Sequence, residues 1–180
     1  MPSIYQPAED SYLLLEILTK EIPKILEENQ HLQFLEIGSG SGILLETAKK
    51  LGIKREHIFA VDINQEAVEH CKSLGFNCIY SDLFENVQGK YNIIVFNPPY
   101  LPRNSKEPTD SQLATTGGAE GGEIINEFLK EAKNYLEENG RIFLLTSSLT
   151  KNINYQNYHK KLLGKERLFF EELYVWEVTI

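Results

Sequence analysis

The stretch Gln33-Phe34-Leu35-Glu36-Ile37-Gly38-Ser39-Gly40-Ser41-Gly42 decides the fold class of this chain. Its first half predicts a short buried strand, and the apolar residues from Ile43 to Ala48 follow at helical spacing. Strand, glycine loop and helix in this order are typical of cofactor-binding α/β proteins, because glycines let a ligand approach the backbone and a helix N-terminus favours negative charge. The loop is not the dinucleotide fingerprint G-x-G-x-x-G, whose third glycine would fall at Ile43.

Acidic residues stand at the ends of three successive predicted strands. Glu36 precedes the first glycine by two residues, Asp62 ends the strand 57–62, and Asp82 follows the strand 76–80. Glu36 can meet an ammonium group while the loop amides meet a carboxylate, which suits an amino-acid-like ligand better than a pyrophosphate. Asp62 can accept both hydroxyls of a ribose, and Asp82 can accept a hydrogen bond from an exocyclic amine, with a backbone N–H from Leu83.

Each of these acids also has a purely structural interpretation. Asp62 could cap the helix predicted over 65–74, and Asp82 could be an ordinary turn residue. Three acids at three successive strand ends favour a shared ligand over three unrelated structural roles.

A second corner follows the apolar run Ile93–Phe96, at Asn97-Pro98-Pro99-Tyr100. The run predicts a buried parallel strand, and the two prolines end it because neither can donate a ladder hydrogen bond. The Asn97 side chain and the Pro98 carbonyl could accept the N–H groups of a planar amide or amine, with the flat face of Tyr100 beside it. A proline-stiffened loop is the alternative, and the upstream glycine loop and acids count against it.

The N-terminal region predicts a helix over about 8–28. Its start, Pro7-Ala8-Glu9-Asp10-Ser11, precedes apolar residues at helical spacing. Acidic and hydroxyl residues there indicate an N-terminal cap. The alternative is that the helix start lies over the cofactor pocket and presents its carboxylates and hydroxyl to a ligand.

The second half of the chain predicts further alternation of helices and strands. A helix is expected over 124–136 with Gly140 as its stop, then a buried strand over 141–146, a short helix over 153–163, and a terminal hairpin of strands 167–172 and 173–180. The polar loop 101–116 is long enough to act as a lid or as a flexible spacer. Strands alternating with helices to the end of the chain predict an α/β three-layer sandwich.

Length and composition predict one domain of 180 residues in a cytoplasmic protein. The net charge of -8 argues against direct nucleic-acid binding through a broad basic face. Cys71 and Cys78, the only cysteines, match no common zinc or redox motif, and the four histidines have no metal-ligand spacing. We therefore predict no metal, and no membrane-spanning or signal segment is visible.

With these residues assembled, the chain resembles the class I S-adenosylmethionine-dependent methyltransferases, whose Rossmann-like sheet has seven mostly parallel strands. More narrowly, it resembles the HemK-type protein N5-glutamine methyltransferases that modify the Gly-Gly-Gln loop of class I release factors. The glycine loop after Glu36 marks the superfamily, and the Asn97 corner is shared by amide and exocyclic-amine N-methyltransferases. The opening Tyr5-Gln6-Pro7-Ala8-Glu9-Asp10-Ser11 is similar to the short archaeal and eukaryotic branch. The resemblance covers about Tyr5 to Thr146.

The resemblance implies S-adenosyl-L-methionine as the cofactor and a role for each matching residue. Glu36 and Gly38 would hold the methionine part, Asp62 the ribose, and Asp82 with Leu83 the adenine, while Ser11 would close the pocket. The implied cofactor-binding set is Ser11, Glu36, Gly38, Gly40, Asp62, Asp82, Leu83 and Asn97. The implied substrate-binding set is Asn97, Pro98, Pro99 and Tyr100, of which Asn97, Pro98 and Tyr100 would be catalytic.

The resemblance also implies partners: a class I peptide chain release factor as substrate and a small zinc-ribbon activator protein forming a heterodimer. An apolar patch beside the third strand, around Phe76 and Ile79, is where the activator would bind.

Two rival functions stay open. The acceptor could be adenine N6 of a nucleic acid or a protein lysine, or the chain could be a non-catalytic cofactor-binding subunit.

Overall fold

Buried β-branched and aromatic runs form a seven-stranded sheet, with helices on both of its faces. The computed structural model describes residues 4–103 and 115–180. Its strands are β1 (Phe34–Ile37), β2 (Ile58–Asp62), β3 (Asn77–Tyr80), β4 (Tyr91–Phe96), β5 (Leu136–Ser147), β6 (His159–Arg167) and β7 (Glu172–Thr179). The helices of the described ranges are α1 (Glu9–Glu28), α2 (Ile43–Lys50), α3 (Gln65–Ser73) and α4 (Glu123–Ala132), with a short 3₁₀ helix at Arg55–His57.

The strand order β3-β2-β1-β4-β5-β7-β6 confirms the predicted α/β class with a mostly parallel sheet. The first five strands in this order run parallel, and β7 is antiparallel to both β5 and β6. From β1 the chain moves outward through β2 to β3, and it then crosses back to β4 on the other side of β1. This reversal opens a crevice at the carboxyl ends of β1 and β4, where open α/β sheets bind ligands.

The two faces of the sheet are covered unequally. Helices α1, α2 and α3 pack on one face, around residues such as Leu14, Leu45 and Val68. On the other face α4 is the one helix of the described residues, and its Phe128 ring lies 4.7 Å from the Phe96 ring centroid and 5.4 Å from that of Phe84. Other described residues that pack on this face, such as Leu83 and Tyr155, belong to no helix.

The helix predicted over 124–136 is shorter than expected, and the role assigned to Gly140 was wrong. Helix α4 ends at Ala132, and Leu136 already pairs with Tyr91 as the first residue of β5. The next paired residue of β5 is Arg141, so residues 137–140 form a bulge. A Cβ atom at Gly140 would lie 2.8 Å from the Leu136 side chain. Gly140 therefore allows the bulge to fold onto Leu136 and does not end a helix.

The tail was the least accurate part of the prediction. The helix expected over 153–163 was wrong, because residues 151–158 contain no helix and β6 begins at His159. Asn152 and Asn157 have left-handed φ values of 57° and 76°, which interrupt any helix there. The terminal hairpin exists, but its strands are β6 and β7 rather than 167–172 and 173–180. The chain therefore does not alternate strands with helices to its end.

The expectation for the loop 101–116 concerns mostly residues 104–114, which lie outside the described residues. At its two ends Leu101 forms an isolated bridge with Thr116, and the Leu101 N–H donates to the Thr115 carbonyl at 2.9 Å. None of the helices in the described ranges has the length and apolarity needed to cross a lipid bilayer.

Candidate functional site

A cleft of about 300 Å³ opens at the carboxyl ends of β1, β2 and β4. Its walls are the start of α1, the glycine loop 38–42, the residues that follow β2, β3 and β4, and two residues of α4, Ile124 and Glu127. This is the crevice created by the reversal of strand order, so the topology and the cleft identify the same place.

The glycine loop is fixed to β2 by its own backbone. The N–H groups of Gly38 and Ser39 both donate to the Val61 carbonyl, at 2.8 and 3.1 Å. Gly38, Gly40 and Gly42 all have φ values in the left-handed region, at 74°, 46° and 76°. An L side chain would be strained at each of these positions, so the alternating glycines are a backbone requirement.

Asp62 connects the loop to the end of β2. One of its carboxylate oxygens accepts from the Gly40 N–H at 2.8 Å, and the other accepts from the Asn64 N–H at 2.8 Å. The side chain is 9% exposed and lines the cleft. A carboxylate has about four acceptor positions, so Asp62 can hold the loop and still accept ligand hydroxyls.

Glu36 is a buried acid without a protein partner for one of its oxygens. It is 3% exposed, and its Oε2 atom has no hydrogen-bond partner within the described residues. Burial, with the nearby Cys71 and Asp62 as further causes, raises the pKa of this carboxyl well above its usual range. A buried acid in this position is completed by a cationic donor, and a ligand ammonium would supply one.

The two cysteines lie beneath the glycine loop. The Cys78 Sγ atom is 3.5 Å from the Ser39 hydroxyl, and the Cys71 thiol lies 3.8 Å from the Gly40 carbonyl. A hydrogen bond with Cys78, followed by burial, raises the pKa of the Cys71 thiol. Both cysteines are free and buried, so they support the loop as small side chains.

The turn after β3 completes the cofactor side of the cleft. Leu83 has a left-handed φ of 43°, which is rare for a residue with a branched side chain. The Ser81 hydroxyl holds this conformation, because it donates to the Leu83 carbonyl at 3.0 Å and accepts from the Asn86 N–H at 3.0 Å. Asp82 is exposed at the edge of the same turn, so its carboxylate is accessible from the cleft.

The corner after β4 presents a second unpaired acceptor. The Oδ1 atom of Asn97 is buried and has no hydrogen-bond partner within the described residues. Asn97, Pro98 and Pro99 line the cleft, whereas Tyr100 does not. The Tyr100 carbonyl accepts from the Thr150 hydroxyl at 3.0 Å. Tyr100 therefore supports the corner without lining the cleft.

The start of α1 faces the cleft. Asp10 and Ser11 are each 5% exposed and line the cleft, and the N-cap residue Ala8 makes no side-chain capping bond. The Tyr5 hydroxyl donates to Asp10 Oδ2 at 3.0 Å, and the Tyr100 hydroxyl lies 3.5 Å from the same oxygen. Burial first, then the charge of Asp10, raises the pKa values of Tyr5 and Tyr100, so both phenols stay protonated as donors. Asp10 Oδ1 also accepts from the Ser11 N–H at 2.5 Å, so the helix start both satisfies one of its own backbone N–H groups and lines the cleft.

Comparison with known protein families matches residues 9–172 to the methyltransferase small domain. The chain belongs to this family. The cleft described above therefore belongs to a methyltransferase-family chain, with the glycine loop after β1 and the Asn97 corner after the neighbouring β4.

Similar proteins are named for the methylation of protein glutamine or of a release factor. The Methanocaldococcus jannaschii protein MJ0928, named for protein N5-glutamine methyltransferase activity, is 38% identical over 97% of this chain and 90% of its own length. The eRF1 methyltransferase catalytic subunit mtq2 of Schizosaccharomyces pombe is 30% identical over 82% of this chain and 74% of its own length. The release factor glutamine methyltransferase of Streptococcus pneumoniae is 34% identical, and the match covers 67% of this chain and 48% of that protein.

Solved structures share the fold. The ribosomal protein L11 methylase of Lactobacillus delbrueckii subsp. bulgaricus superposes with a TM-score of 0.63 at 19% identity, over 97% of this chain and 80% of that chain. At this identity the likeness concerns the methyltransferase fold alone.

The structure brings nearly all of the predicted site residues to one cleft. The residues that line it are Ser11, Glu36, Gly38, Gly40, Asp62, Asp82, Leu83, Asn97, Pro98 and Pro99. Tyr100 is the exception. It packs against the apolar residues of both faces of the sheet, and its hydroxyl faces Asp10.

Several residues of the methyltransferase cleft were not among the predicted site residues. Asp10 and Tyr5 form the pair described above, Ile63 is 41% exposed in the cleft, and Ile124 and Glu127 come from α4. Ile63 follows the strand-end acid directly, which is a signal that could have been used. Nothing local to the α4 sequence indicates that its first turns reach the cleft.

Proposed function

We propose that this chain is an S-adenosylmethionine-dependent protein N5-glutamine methyltransferase. Its substrate would be the glutamine in the Gly-Gly-Gln loop of a class I peptide chain release factor. The single observation that carries the proposal is the unpaired, buried Oδ1 atom of Asn97, which lines the cleft at the end of β4, next to the glycine loop that follows β1. The names of the relatives support the same acceptor.

The cofactor side of the cleft fits S-adenosylmethionine, because its unpaired and accessible acids match the donors of that molecule. Glu36 would accept from the ammonium group, and Asp62 from the ribose hydroxyls. Asp82 with the Leu83 backbone would take the adenine edge, and Ile63 offers an apolar contact for a flat ring. Ser11 would close the pocket. When bound, S-adenosylmethionine supplies an activated methyl group.

The acceptor side is suited to an amide. An amide nitrogen is a poor nucleophile because its lone pair is delocalised into the carbonyl. Asn97 Oδ1 and the Pro98 carbonyl would each accept one N–H of the glutamine amide, which fixes the direction of the nitrogen lone pair. Pro98 and Pro99 hold the corner rigid, since proline fixes its own φ and restricts the preceding residue. Placing the two reactants in line can supply a large share of the rate.

The proton balance needs no strong base before transfer. The glutamine nitrogen would gain the methyl group as the methyl–sulfur bond of the cofactor breaks, leaving S-adenosylhomocysteine, and would then release one proton to water. Asn97 Oδ1 and the Pro98 carbonyl would orient the N–H groups without keeping that proton. Asp10, held by Tyr5 and near the Tyr100 hydroxyl, is a buried carboxylate beside the residue that supports the corner. Its role would be to keep Tyr100 and the corner in position.

The rival acceptors are less well supported. An adenine N6 or a lysine amine could also use Asn97, but no relative described above is named for either of them. A non-catalytic subunit would have no use for a buried amide oxygen that lacks a partner.

We propose further that residues 1–180 act as one cytoplasmic methyltransferase domain.

An activator subunit is part of the proposal. Strand β3 is an edge of the sheet, and its Ile79 and Tyr80 are 45% and 49% exposed. A small zinc-ribbon protein that forms a heterodimer at this edge would cover them. Phe76, in contrast, is buried, so it would not belong to the patch.

The test is methyl transfer from labelled S-adenosylmethionine to a class I release factor. The native factor is compared with a version whose Gly-Gly-Gln glutamine is alanine, with and without the zinc-ribbon partner. Label on the native factor alone is the expected result. Label on both versions would place the methyl group elsewhere, and label on neither, despite measured cofactor binding, would move the proposal to the rival acceptors. Failure to bind S-adenosylmethionine would remove the enzymatic proposal itself.

A further inference from the structure

Two adjacent phenylalanines project from the turn between β6 and β7. Phe169 is 92% exposed and Phe170 is 84% exposed, whereas the other exposed large apolar side chains of the described residues lie between 39% and 64%. The two rings contact each other edge to face at 4.7 Å. We call this pair the aromatic tip. An exposed apolar pair of this kind marks an interaction site more often than a single surface residue does.

Turn geometry does not account for the aromatic tip. The turn is closed by a hydrogen bond from the Leu168 N–H to the Glu171 carbonyl at 2.8 Å. Neither phenylalanine has a left-handed φ, and turns of this kind usually carry glycine, asparagine, aspartate or serine. The two rings also contribute nothing to the core at this exposure. Their presence therefore points to a contact outside the chain.

A short run of hydrogen bonds connects the aromatic tip to the acceptor corner. The Ser147 hydroxyl at the end of β5 donates to the carboxylate of Glu171, the residue after Phe170. The Ser147 N–H donates to the Thr150 hydroxyl at 3.1 Å, and that hydroxyl donates to the Tyr100 carbonyl at 3.0 Å. Ser147, the last residue of β5, also pairs with Leu173, so the turn that carries the tip lies at the carboxyl edge of the sheet, as the cleft does. The tip is thus connected to the residue that supports the acceptor corner.

The charges beside the aromatic tip give it no basic border. Lys165 and Arg167 are the cations of β6 near the turn, and Lys165 is paired with Glu172 at 3.2 Å. Glu166, Glu171 and Glu172 lie in the same stretch, whereas Lys160 and Lys161 lie at the opposite end of the hairpin. The contact that the tip offers is therefore apolar rather than ionic.

We propose that the aromatic tip is the docking anchor for the protein that carries the acceptor glutamine. This inference rests on the proposed function. The partner surface would be an apolar depression next to the glutamine loop. A protein substrate that inserts one loop into the cleft must lay its neighbouring surface on the same edge of the sheet, and the tip projects from that edge. Aromatic side chains in such positions often dominate binding.

The test compares Phe169→Ser/Phe170→Ser with wild type and with Ile180→Ser as a matched control. Ile180 is also exposed, at 64%, but it lies beyond the opposite end of β7. Steady-state methylation of the full-length release factor is measured in the presence of the zinc-ribbon partner, together with S-adenosylmethionine binding and the thermal unfolding midpoint. We expect KM for the factor to rise about ten-fold or more in the double variant, with kcat within about two-fold, cofactor binding unchanged and the control like wild type.

The double variant Phe169→Leu/Phe170→Leu keeps the apolar surface, so its KM for the factor should be close to that of wild type. An unchanged KM in the serine variant would overturn the inference while the proposed function stands. Loss of kcat or of cofactor binding in both double variants would also overturn it, because the tip would then be structural. Wild type that transfers no methyl group to the factor would remove the proposed function, and this inference with it. An RNA hairpin bound by wild type but not by the serine variant, with KM for the factor unchanged, would assign the tip to RNA instead.

Discussion

The two sides of the cleft are built in different ways. On the cofactor side, hydrogen bonds connect residues of neighbouring strand–loop units, as between Gly40 and Asp62, which are 22 positions apart. On the acceptor side they connect distant parts of the chain: Tyr100 lies 90 positions from Asp10 and 50 from Thr150. The cofactor side is a local motif, and the acceptor side exists only when the whole domain is folded.

The two unpaired acceptor atoms, Glu36 Oε2 and Asn97 Oδ1, also differ in their surroundings. Glu36 lies within the local motif and is a charged group that burial disfavours. Asn97 is neutral and lies at a corner that Tyr100 and Thr150 hold from behind. The charged form of Glu36 thus depends on a nearby cation, whereas Asn97 carries no charge and needs no cation. Variants of these positions should therefore fail differently.

The largest expected effect is that of Asn97→Ala. Removing the side-chain acceptor should reduce methyl transfer by roughly a hundred-fold to a thousand-fold, the range found when one positioned hydrogen-bonding group is removed from a catalytic site. Cofactor affinity should stay within a few-fold, because the contacts of the glycine loop are intact. Single-turnover transfer and calorimetric binding of S-adenosylmethionine measure the two quantities separately.

Asn64→Ala is the matched variant on the cofactor side. The Asn64 side chain caps α3 by accepting from the Glu66 N–H at 3.0 Å, and the residue lines the cleft. We expect weaker cofactor binding, a stability loss of about 1 kcal/mol, and near-normal transfer at saturating cofactor. If Asn97→Ala lost cofactor binding to the same degree, the division of the cleft into two functional sides would be wrong.

The second effect is that of Glu36→Gln, which should separate affinity from stability. Losing a charge-assisted hydrogen bond should weaken S-adenosylmethionine binding by about ten-fold to a hundred-fold. The same change should stabilise the ligand-free protein near neutral pH, because it removes a buried acid whose charged form is disfavoured. Binding titrations and denaturant unfolding without cofactor measure the two changes.

The pH dependence of the unfolding free energy of wild type shows whether the Glu36 carboxyl stabilises or destabilises the folded chain. Its pKa is raised in the folded state, so below the ordinary value of 4.5 both states hold the proton. Above that value the unfolded chain releases the proton while the folded chain keeps it. The unfolding free energy should therefore fall as pH rises from about 4.5 toward the folded pKa. Glu36→Gln should lack this fall, and an equal fall in the variant would assign it to another group.

The cofactor side was predictable from the sequence because its signals are local. A strand, alternating glycines and strand-end acids fix which residues meet at one edge of a parallel sheet. Glu36, Asp62 and Asp82 could therefore be placed together from the order of these elements alone. The left-handed φ of Leu83 could not, since it follows from the bonds that Ser81 makes to its neighbours.

The tail and the contacts that support the acceptor corner resisted prediction for the opposite reason. Residues 153–158 have a spacing compatible with a helix, but Tyr158 instead donates to the Leu129 carbonyl of α4 at 2.7 Å, and Asn126 holds Asn152 and Asn154. These tertiary contacts override the local pattern. In the same way, no local signal connects Asp10 with Tyr100, because their meeting depends on where α1 lies relative to β4.

The smallest expected effect is that of Tyr5→Phe, which probes those long-range contacts directly. The variant removes the 3.0 Å hydrogen bond to Asp10 and leaves the ring in place. We expect a stability loss of about 1 kcal/mol and a fall in transfer rate of only a few-fold, because Asp10 keeps its neighbour Tyr100. Tyr100→Phe is the companion variant, and the double variant should lose more than the sum of the two, since Asp10 would then lack both phenols. Simple additivity would mean that Asp10 does not couple α1 to the corner, and the acceptor side would then be a local motif like its counterpart.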